Sequence, residues 1–200
     1  MMRFRKNGFG ALIVLGILLT LTTACGGGGG GGGAVIPPGL VAAFAGGNPT
    51  PGAMTINMTS GPSNGSTFSI LVNVTGIPDF FGAAFRVTFN GATASLAGSS
   101  AAGSFIDVGG ATVNFNAVES TPGTVLVNAT RQGMVAGVSP AATDLLITLT
   151  FNADAATGGN VFTFGTAADR EVRTCATANG VCPALNDNML TWSGGTMVAN

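Results

Sequence analysis

This chain has few side chains suited to catalysis, and two of the most useful types are missing. The sequence contains no His and no Tyr, which removes the commonest general base and a frequent proton donor. A Ser-His triad is therefore excluded within this chain. The eight acidic residues could in principle pair for glycoside hydrolysis, but they are dispersed over turns and strand ends, where carboxylates usually face solvent. The sequence thus predicts a protein that is not an enzyme.

Charge is scarce in this sequence, and little of it is positive. Charged residues make up 8% of the chain, against about a quarter in ordinary soluble domains. Three of the seven basic residues lie within the first six positions, so the rest of the chain has four Arg and no Lys against eight acids. Because such a body offers little to neutralise phosphates, we expect no nucleic-acid binding.

The first cysteine, Cys25, predicts a lipid anchor. It follows a basic head and an apolar run from Ala11 to Leu21, which is the organisation of an export signal and is short for a membrane span. The end of that run, residues 21–25, resembles a bacterial lipobox, in which the Cys is acylated and becomes the mature N-terminus. Ordinary secretory cleavage near Ala24 is the alternative. We expect residues 1–25 to be a lipoprotein signal peptide.

Residues 26–52 predict a flexible tether. Gly26 to Gly33 is an unbroken glycine run, which behaves as a flexible coil, and Pro- and Gly-containing turns continue to Gly52. Such a flexible linker would let a lipid-anchored domain extend away from a membrane. We therefore expect an exported protein anchored to the bacterial cell envelope, at the outer membrane or cell surface, with its folded domain in residues 53–200.

The other two cysteines, Cys175 and Cys182, predict a disulfide. They enclose residues 176–181, and a lone pair of cysteines in an exported protein usually forms a bond. Closing so short a loop stabilises a fold by about 2 kcal/mol on the loop-entropy model. A metal site is the alternative, but two thiols without any His are a poor ligand set.

Calcium is the one cofactor that the sequence leaves open. Its oxygen ligands would come from Asp169 and Glu171, or from Asp187 with nearby carbonyls. No calcium-loop signature surrounds these acids, and solvated loop carboxylates are the alternative. We therefore predict no metal and no other cofactor.

The elements that must position these residues are short strands. In Thr67–Thr75 and Phe81–Asn90 apolar side chains fall on every second position, so that each strand has one buried and one wet face. A helical turn is predicted near residues 135–142, where Ser139-Pro140 could begin one. Nine further short runs with strand patterns, bounded by turn residues, predict an all-β sandwich. They are Met54–Met58, Ala92–Leu96, Thr112–Val118, Thr124–Thr130, Asp144–Ala153, Asn160–Phe164, Glu171–Thr174, Met189–Trp192 and Thr196–Ala199.

The order and spacing of these strands resemble the cohesin domain family. Gly82 to Asn90 reads Gly-Ala-Ala-Phe-Arg-Val-Thr-Phe-Asn where cohesins have a strand ending in Tyr-Asp-Pro. Leu145 to Ala153 resembles the family's Leu-x-Phe-x-Ala strand, and Leu190 to Val198 resembles its closing Gly-containing strand. The resemblance covers roughly residues 53–200. It implies a jelly-roll β-sandwich of about nine strands. This fold is related to that of carbohydrate-binding modules, including some that bind cellulose.

The resemblance also implies a function. Cohesins bind dockerins through one flat sheet face and so attach enzymes to scaffolds or cell surfaces. We therefore expect protein–protein recognition, with a dockerin-like protein module as partner. The matching partner-binding face consists here of outward polar side chains, namely Arg86, Thr88, Asn90, Asn114, Asn116, Asn128 and Thr130.

Two alternatives to protein recognition remain. Polysaccharide binding is one, because the fold relationship includes sugar-binding modules. Flat sugar platforms use rows of aromatic rings, and Trp192 is the candidate sugar contact, although a core or sheet-edge position suits it better. A face rich in Asn and Thr around Arg86 suits a hydrogen-bonded protein contact more closely. A purely structural envelope component is the other alternative.

Overall fold

Two β-sheets make up most of the computed structural model, which describes residues 39–200. The all-β prediction is confirmed. There are thirteen strands in this part of the chain rather than about nine, because several are only two to five residues long. The strands are β1 (Ala42–Gly46), β2 (Thr55–Asn64), β3 (Thr67–Thr75), β4 (Phe80–Thr88), β5 (Ala94–Leu96), β6 (Ala101–Ala102), β7 (Thr112–Thr121), β8 (Thr124–Gln132), β9 (Thr143–Ala153), β10 (Thr157–Phe164), β11 (Arg170–Thr174), β12 (Thr191–Ser193) and β13 (Gly195–Ala199).

The strands divide into a seven-stranded and a six-stranded sheet. The first sheet has the order β1-β13-β10-β4-β8-β7, with β11 also pairing with β4. The second has the order β12-β2-β3-β9-β5, with β6 also pairing with β9. The pairing of β12 with β2 is parallel, and the other strand pairs are antiparallel. Long antiparallel pairs join β3 to β9 in the second sheet, and β4 to β8 and β8 to the edge strand β7 in the first.

The alternation of apolar residues decides which side of each sheet faces the other. The inward side chains Phe68, Ile70 and Val72 of β3 are buried, as is the corresponding apolar set of β8. Aromatic rings fill the space between the sheets. Phe162 stacks on Phe89 with ring centroids 4.8 Å apart. One continuous hydrophobic core results, and it holds the outward residues on a fixed scaffold.

The sandwich begins earlier than the sequence predicts. Residues 42–46 fall in the predicted tether, yet they form β1, which pairs with β13 from Ala42–Ala199 to Gly46–Gly195. Ala42 and Phe44 are buried in the core. The prediction is wrong for this segment because Ala and Gly have low strand propensity, and the strand exists through its pairing. The signal peptide, Cys25 and the glycine run lie outside the described residues.

The predicted helical turn at residues 135–142 is also wrong. No helical turn forms there; Val138 instead exchanges two backbone hydrogen bonds with Phe80, at 2.8 and 2.9 Å, and residues 141–142 form a bend. Pairing with a neighbouring strand outweighs the local helix-start signal of Ser-Pro. Short 3₁₀ segments form instead at Ser104–Gly110, Ala167–Asp169 and Asp187–Met189. Within residues 39–200, no helix is both long and apolar enough to cross a membrane.

One buried arginine fixes the longest of these 3₁₀ segments. Arg131 on β8 donates from Nη1 to the carbonyl oxygen of Ile106 at 2.7 Å and from Nη2 to that of Val108 at 2.9 Å. The side chain is buried, and this burial lowers the pKa of the Arg131 guanidinium. Arg131 therefore joins β8 to the segment that closes one end of the sandwich.

Candidate functional site

The outward surface of β4, β8 and β7 is the candidate site, and we call it the outer face. It is built from cross-strand rows that run straight across the three strands. Asn116 lies opposite Asn128, which lies opposite Ala84. In the next row, Val118 lies opposite Leu126, which lies opposite Arg86. Because directly opposed side chains in a sheet lie within contact distance, each row forms a continuous strip of surface.

Arg86 is held in place by an ion pair. Its Nη1 lies 2.6 Å from Oδ1 of Asp169, and about two fifths of the Arg86 side chain (41%) is exposed. Asp169 is fixed in turn, since its Oδ2 accepts hydrogen bonds from the backbone nitrogen and hydroxyl of Thr166, at 3.2 and 2.9 Å. An exposed pair of this kind contributes at most about 1 kcal/mol to stability. Its main effect is to orient the Arg86 guanidinium beside Leu126 and Val118 of the same row.

The neighbouring strand β11 adds a second ion pair to this surface. Arg173 and Glu171 lie 2.6 Å apart, and Nη1 of Arg173 also donates to the carbonyl oxygen of Cys182 at 3.2 Å. Both arginines at the outer face are thus matched by acids on the same surface. The face is therefore nearly neutral, and a partner needs no strong opposite charge to bind it.

The predicted polar residues of β7 and β8 come together on the outer face. Asn128 donates to the backbone carbonyl of Asn114 at 3.2 Å, and Thr130 donates to Oδ1 of Asn128 at 3.0 Å. Asn114 and Asn116 are exposed. Their side-chain amides can therefore donate to and accept from a partner.

The two remaining predicted residues stand apart from this cluster. Thr88 lies at the end of β4, where its hydroxyl is 2.8 Å from that of Thr163 on β10. Asn90 lies beyond β4, in the loop that follows it, and its Oδ1 accepts a hydrogen bond from the backbone nitrogen of Ala92 at 3.0 Å. Asn90 therefore shapes a loop and is not part of the outer face, since β4 ends two residues before it.

Sequence reasoning missed the apolar part of the outer face. Val118 and Leu126 are 47% and 40% exposed, and they lie opposite each other in the row of Arg86. A shallow depression of about 510 Å³ is lined by Leu126, Ala84 and Arg86, together with Asp169. The signal was present in the sequence, because the alternation of β7 and β8 puts these two large apolar residues on the wet side.

Trp192 lies away from the outer face, against the core. Its ring meets those of Phe164 and Phe85, with centroids 4.9 and 5.9 Å apart. Its indole nitrogen donates to Oδ1 of Asp187 at 2.8 Å, and the Arg170 guanidinium lies over the ring at 5.1 Å. The aromatic face that a sugar would need is therefore occupied, as the core interpretation of Trp192 predicts.

The three carboxylates considered for calcium all pair with arginines. Asp169 pairs with Arg86 and Glu171 with Arg173, as described above. Asp187 accepts two hydrogen bonds from Arg170, both 2.8 Å, and these bonds lower the pKa of Asp187. In the part of the chain that the structure describes, no three acidic or cysteine side chains converge. Calcium binding was the alternative to the predicted absence of a metal, and these described residues offer no cluster that supports it.

A disulfide between Cys175 and Cys182 is present, with the two Cα atoms 4.4 Å apart. The chain after the bond returns alongside β11. The backbone nitrogen of Thr174 donates to Pro183 at 3.2 Å, and that of Leu185 donates to Val172 at 2.8 Å. Residues 183–185, directly after the disulfide, therefore cover the outer edge of β11, and Arg173 joins this region to the outer face.

Comparisons with known proteins agree with this architecture. No curated protein matches the chain, whereas 19 solved protein chains do. CaCohA2 from Clostridium acetobutylicum is 15% identical, with a TM-score of 0.53 over 72% of this chain and 88% of that one. The seventh ScaB type I cohesin from Pseudobacteroides cellulosolvens is 11% identical, with a TM-score of 0.52 over 78% and 89%.

A further match is a complex. The sixth cohesin of scaffoldin B from Acetivibrio cellulolyticus, solved with a Cel5 dockerin mutant, is 20% identical, with a TM-score of 0.47 over 72% of this chain and 97% of that one. At these identities the likeness concerns the fold alone. The family follows from the sequence, because the profile of the cohesin domain matches residues 52–181, more than half of the chain. The chain therefore belongs to the cohesin family.

Proposed function

We propose that this protein is a non-catalytic recognition module that binds a protein partner through its outer face. The observation that carries the proposal is the row formed by Val118, Leu126 and Arg86. Two large apolar side chains, Val118 and Leu126, are exposed side by side there, at positions on the solvent side of both strands where polar residues are usual. Such a strip gains from being covered by another molecule.

The composition of the outer face is that of a protein interface. Protein interfaces combine a desolvated apolar centre with a polar rim that supplies hydrogen bonds. Val118 and Leu126 provide the centre. Asn114, Asn116 and Arg86 provide donors and acceptors around it. Because the three strands are fixed by the core, little conformational entropy is lost on binding.

The family membership indicates the kind of partner. Cohesins are modules that dock other protein modules, so a dockerin-like module is the partner that we expect. The near neutrality of the face favours a partner surface of apolar and uncharged polar residues. Polysaccharide binding has less support, since the ring of Trp192 is covered by Arg170.

The lipid anchor and the location in the cell envelope belong to the same proposal. The export-signal pattern, the lipobox-like residues before Cys25 and the glycine run that follows support them. An anchored recognition module would hold its partner at the cell surface. The Cys25→Ser variant should leave the membrane fraction after cell fractionation. Persistence in membranes would contradict the anchor without affecting the proposed binding face.

The binding proposal is tested by capture of exported proteins from the source organism on the immobilised full chain. We expect a captured protein module, and we expect Val118→Asp to abolish its capture. Val161→Asp is the matched control, because Val161 is also an exposed valine of the first sheet (59%) but lies on β10, outside the strip. Retardation by cellulose, xylan or chitin with no protein captured would contradict the proposal.

A further inference from the structure

The first sheet has one long edge, the free side of β7, that makes no backbone hydrogen bonds within residues 39–200, although residues 96–100 lie near it. The edge of β11 is covered by residues 183–185 through the hydrogen bonds given above. At the other end of the sheet, β1 donates from Ala42 to the carbonyl oxygen of Gly65 at 2.8 Å. By contrast, the ten residues of β7 pair with β8 alone, and no other backbone hydrogen bond to them is found in the described chain.

This edge also lacks the features by which natural proteins block edge pairing. Exposed edges are usually protected by Lys, Pro, a bulge in mid-strand or an outward charge. β7 contains neither Lys nor Pro, and its register is regular from Thr112 to Glu119. The one charge, Glu119, is turned inward, where it accepts hydrogen bonds from the backbone nitrogens of Leu96 and Gly123 at 2.7 and 2.9 Å. The free backbone groups of β7 are therefore open to another strand.

We propose that two copies of this chain pair through β7, antiparallel and around a two-fold axis at Asn116. Identical strands that pair antiparallel form an isologous interface of this kind. The axis must pass through a residue, because a half-residue shift would place wet side chains opposite buried ones. Asn116 is the outward residue nearest the middle of β7, so this register pairs Thr112 with Ser120 and Asn114 with Val118 of the second copy.

The sequence of β7 is complementary to itself in this register. The outward positions carry no charge, so no like charges meet across the axis. On the inward side Phe115 meets Ala117 of the second copy. Phe115 is half-buried and lines an open groove of about 360 Å³ between β7 and residues 96–100. A second copy would cover the open side of this groove and remove apolar surface from water.

The pairing would place both outer faces on the same side of one continuous sheet, because the two-fold axis is perpendicular to that sheet. The dimer would then present two copies of the Val118–Leu126 strip in one plane. This bivalent use rests on the proposed function, whereas the pairing itself does not. Two linked sites can bind a multivalent partner far more tightly than one site alone.

Cysteine cross-linking tests the pairing and its register together. In an antiparallel pair the two Asn116 Cα atoms would lie about 5 Å apart, within reach of a disulfide. The full chain carrying Asn116→Cys, exported by a bacterial host, should yield a covalent dimer on a non-reducing gel. The matched control is Asn128→Cys, which lies directly opposite Asn116 but one strand away from the edge. It should run as a monomer on that gel, as should the parent chain, whose dimer is not covalent.

A second variant tests the pairing without a cross-link. Asn116→Lys places two like charges across the axis, and we expect at least a tenfold rise in the dimer dissociation constant, measured by light scattering on the detergent-extracted chain. An unchanged melting temperature would show that the variant is folded. A parent chain that is monomeric at all concentrations, or equal cross-linking of the Asn116→Cys and Asn128→Cys chains, would overturn the inference. Because no partner is present in either assay, failure of the proposed recognition would leave both results unchanged.

Discussion

The outward surfaces of the two sheets are built from the same kind of strand, yet they differ in how their side chains are used. On the second sheet, outward polar groups pair with one another across strands. Thr67 donates to Asn152 at 3.1 Å, and the hydroxyls of Thr75 and Thr143 lie 2.9 Å apart. On the outer face of the first sheet, the exposed amides of Asn114 and Asn116 flank exposed apolar side chains.

This difference agrees with the proposed roles, in which the second sheet faces solvent and the outer face binds a partner. Among the described residues, none of the large exposed apolar side chains lies on β2, β3 or β9. The hydrogen bonds of the second sheet are internal, so a partner would gain little by replacing them. On the outer face, Val118 and Leu126 stay partly hydrated until something covers them. The difference therefore supports the proposal that the outer face, and not the second sheet, binds the partner.

The largest expected effect concerns the core that supports both surfaces. Arg131→Met should remove about 3 kcal/mol of unfolding free energy, because two buried carbonyl groups lose their donors. Denaturant unfolding followed by circular dichroism measures this loss. The exposed Arg173→Met is the control and should change stability by less than about 0.5 kcal/mol. Equal effects of the two variants would show that Arg131 does not fix the 3₁₀ segment.

Binding should respond most to the apolar strip. We expect Leu126→Asp to weaken partner binding by at least about 2 kcal/mol, since it places a charge in the desolvated centre of the interface. Thr75→Asp, on the second sheet, should leave the affinity unchanged. Calorimetric titration with the captured partner measures both. A larger loss from Thr75→Asp would exchange the roles that we assign to the two surfaces.

Features of the two sheets that depend on neighbouring residues could be predicted from the sequence, whereas features that depend on distant strands could not. Strict alternation in β3 and β4 indicated both strands and their buried sides, because that signal is local. β1 was missed because its formation depends on pairing with β13, at the far end of the chain. The polar residues of the outer face were predicted, but Val118 was not named, although the same alternation places it on the side of Asn114 and Asn116.

The pairing partners of charged residues could not be predicted either. Nothing in the sequence indicates that Arg86 reaches Asp169, because the two are brought together by the pairing of β4 with β11. The same holds for Arg170 and Asp187, which fold back onto Trp192. Alternation predicts which side of a strand a residue occupies. It does not predict which residues from distant strands will meet there.

A moderate effect is expected from Arg86. Arg86→Glu should weaken partner binding by about 1 kcal/mol, because it reverses a rim charge and repels Asp169. Asp169→Asn is the companion variant, which removes the ion pair but keeps the guanidinium. Surface plasmon resonance should show loss for the first and near-normal binding for the second. Equal losses would mean that Arg86 acts through its ion pair with Asp169 and not through contact with the partner.

A substitution on the second sheet should lower stability without changing the affinity for the partner. Asn73 donates to the hydroxyl of Thr59 at 2.8 Å and is almost fully buried (9% exposed). Asn73→Ala should cost about 1 kcal/mol of unfolding free energy and leave the partner affinity unchanged. Thermal unfolding and the same binding assay measure the two quantities. A change in affinity with no change in stability would contradict the division of roles.

The smallest effect is a dependence of stability on pH. Hydrogen bonds from Arg170 lower the pKa of Asp187 in the folded state, so the folded chain releases this proton more readily than the unfolded chain. The stabilisation is therefore present above the ordinary pKa of an aspartate and is lost as the pH falls through the lowered value. Asp187→Asn should reduce the loss of stability on acidification below the ordinary pKa of an aspartate, as acid titration of the melting temperature measures. An acid response identical to that of the parent would contradict this role.

Hydrogen exchange of the chain with and without its captured partner shows which sheet the partner covers. We expect slowed exchange of backbone amides in β4, β8 and β7, together with the neighbouring β11, and no change in β2, β3 and β9. Protection confined to β2, β3 and β9 would contradict it, because the partner would then cover the surface whose polar groups are already paired.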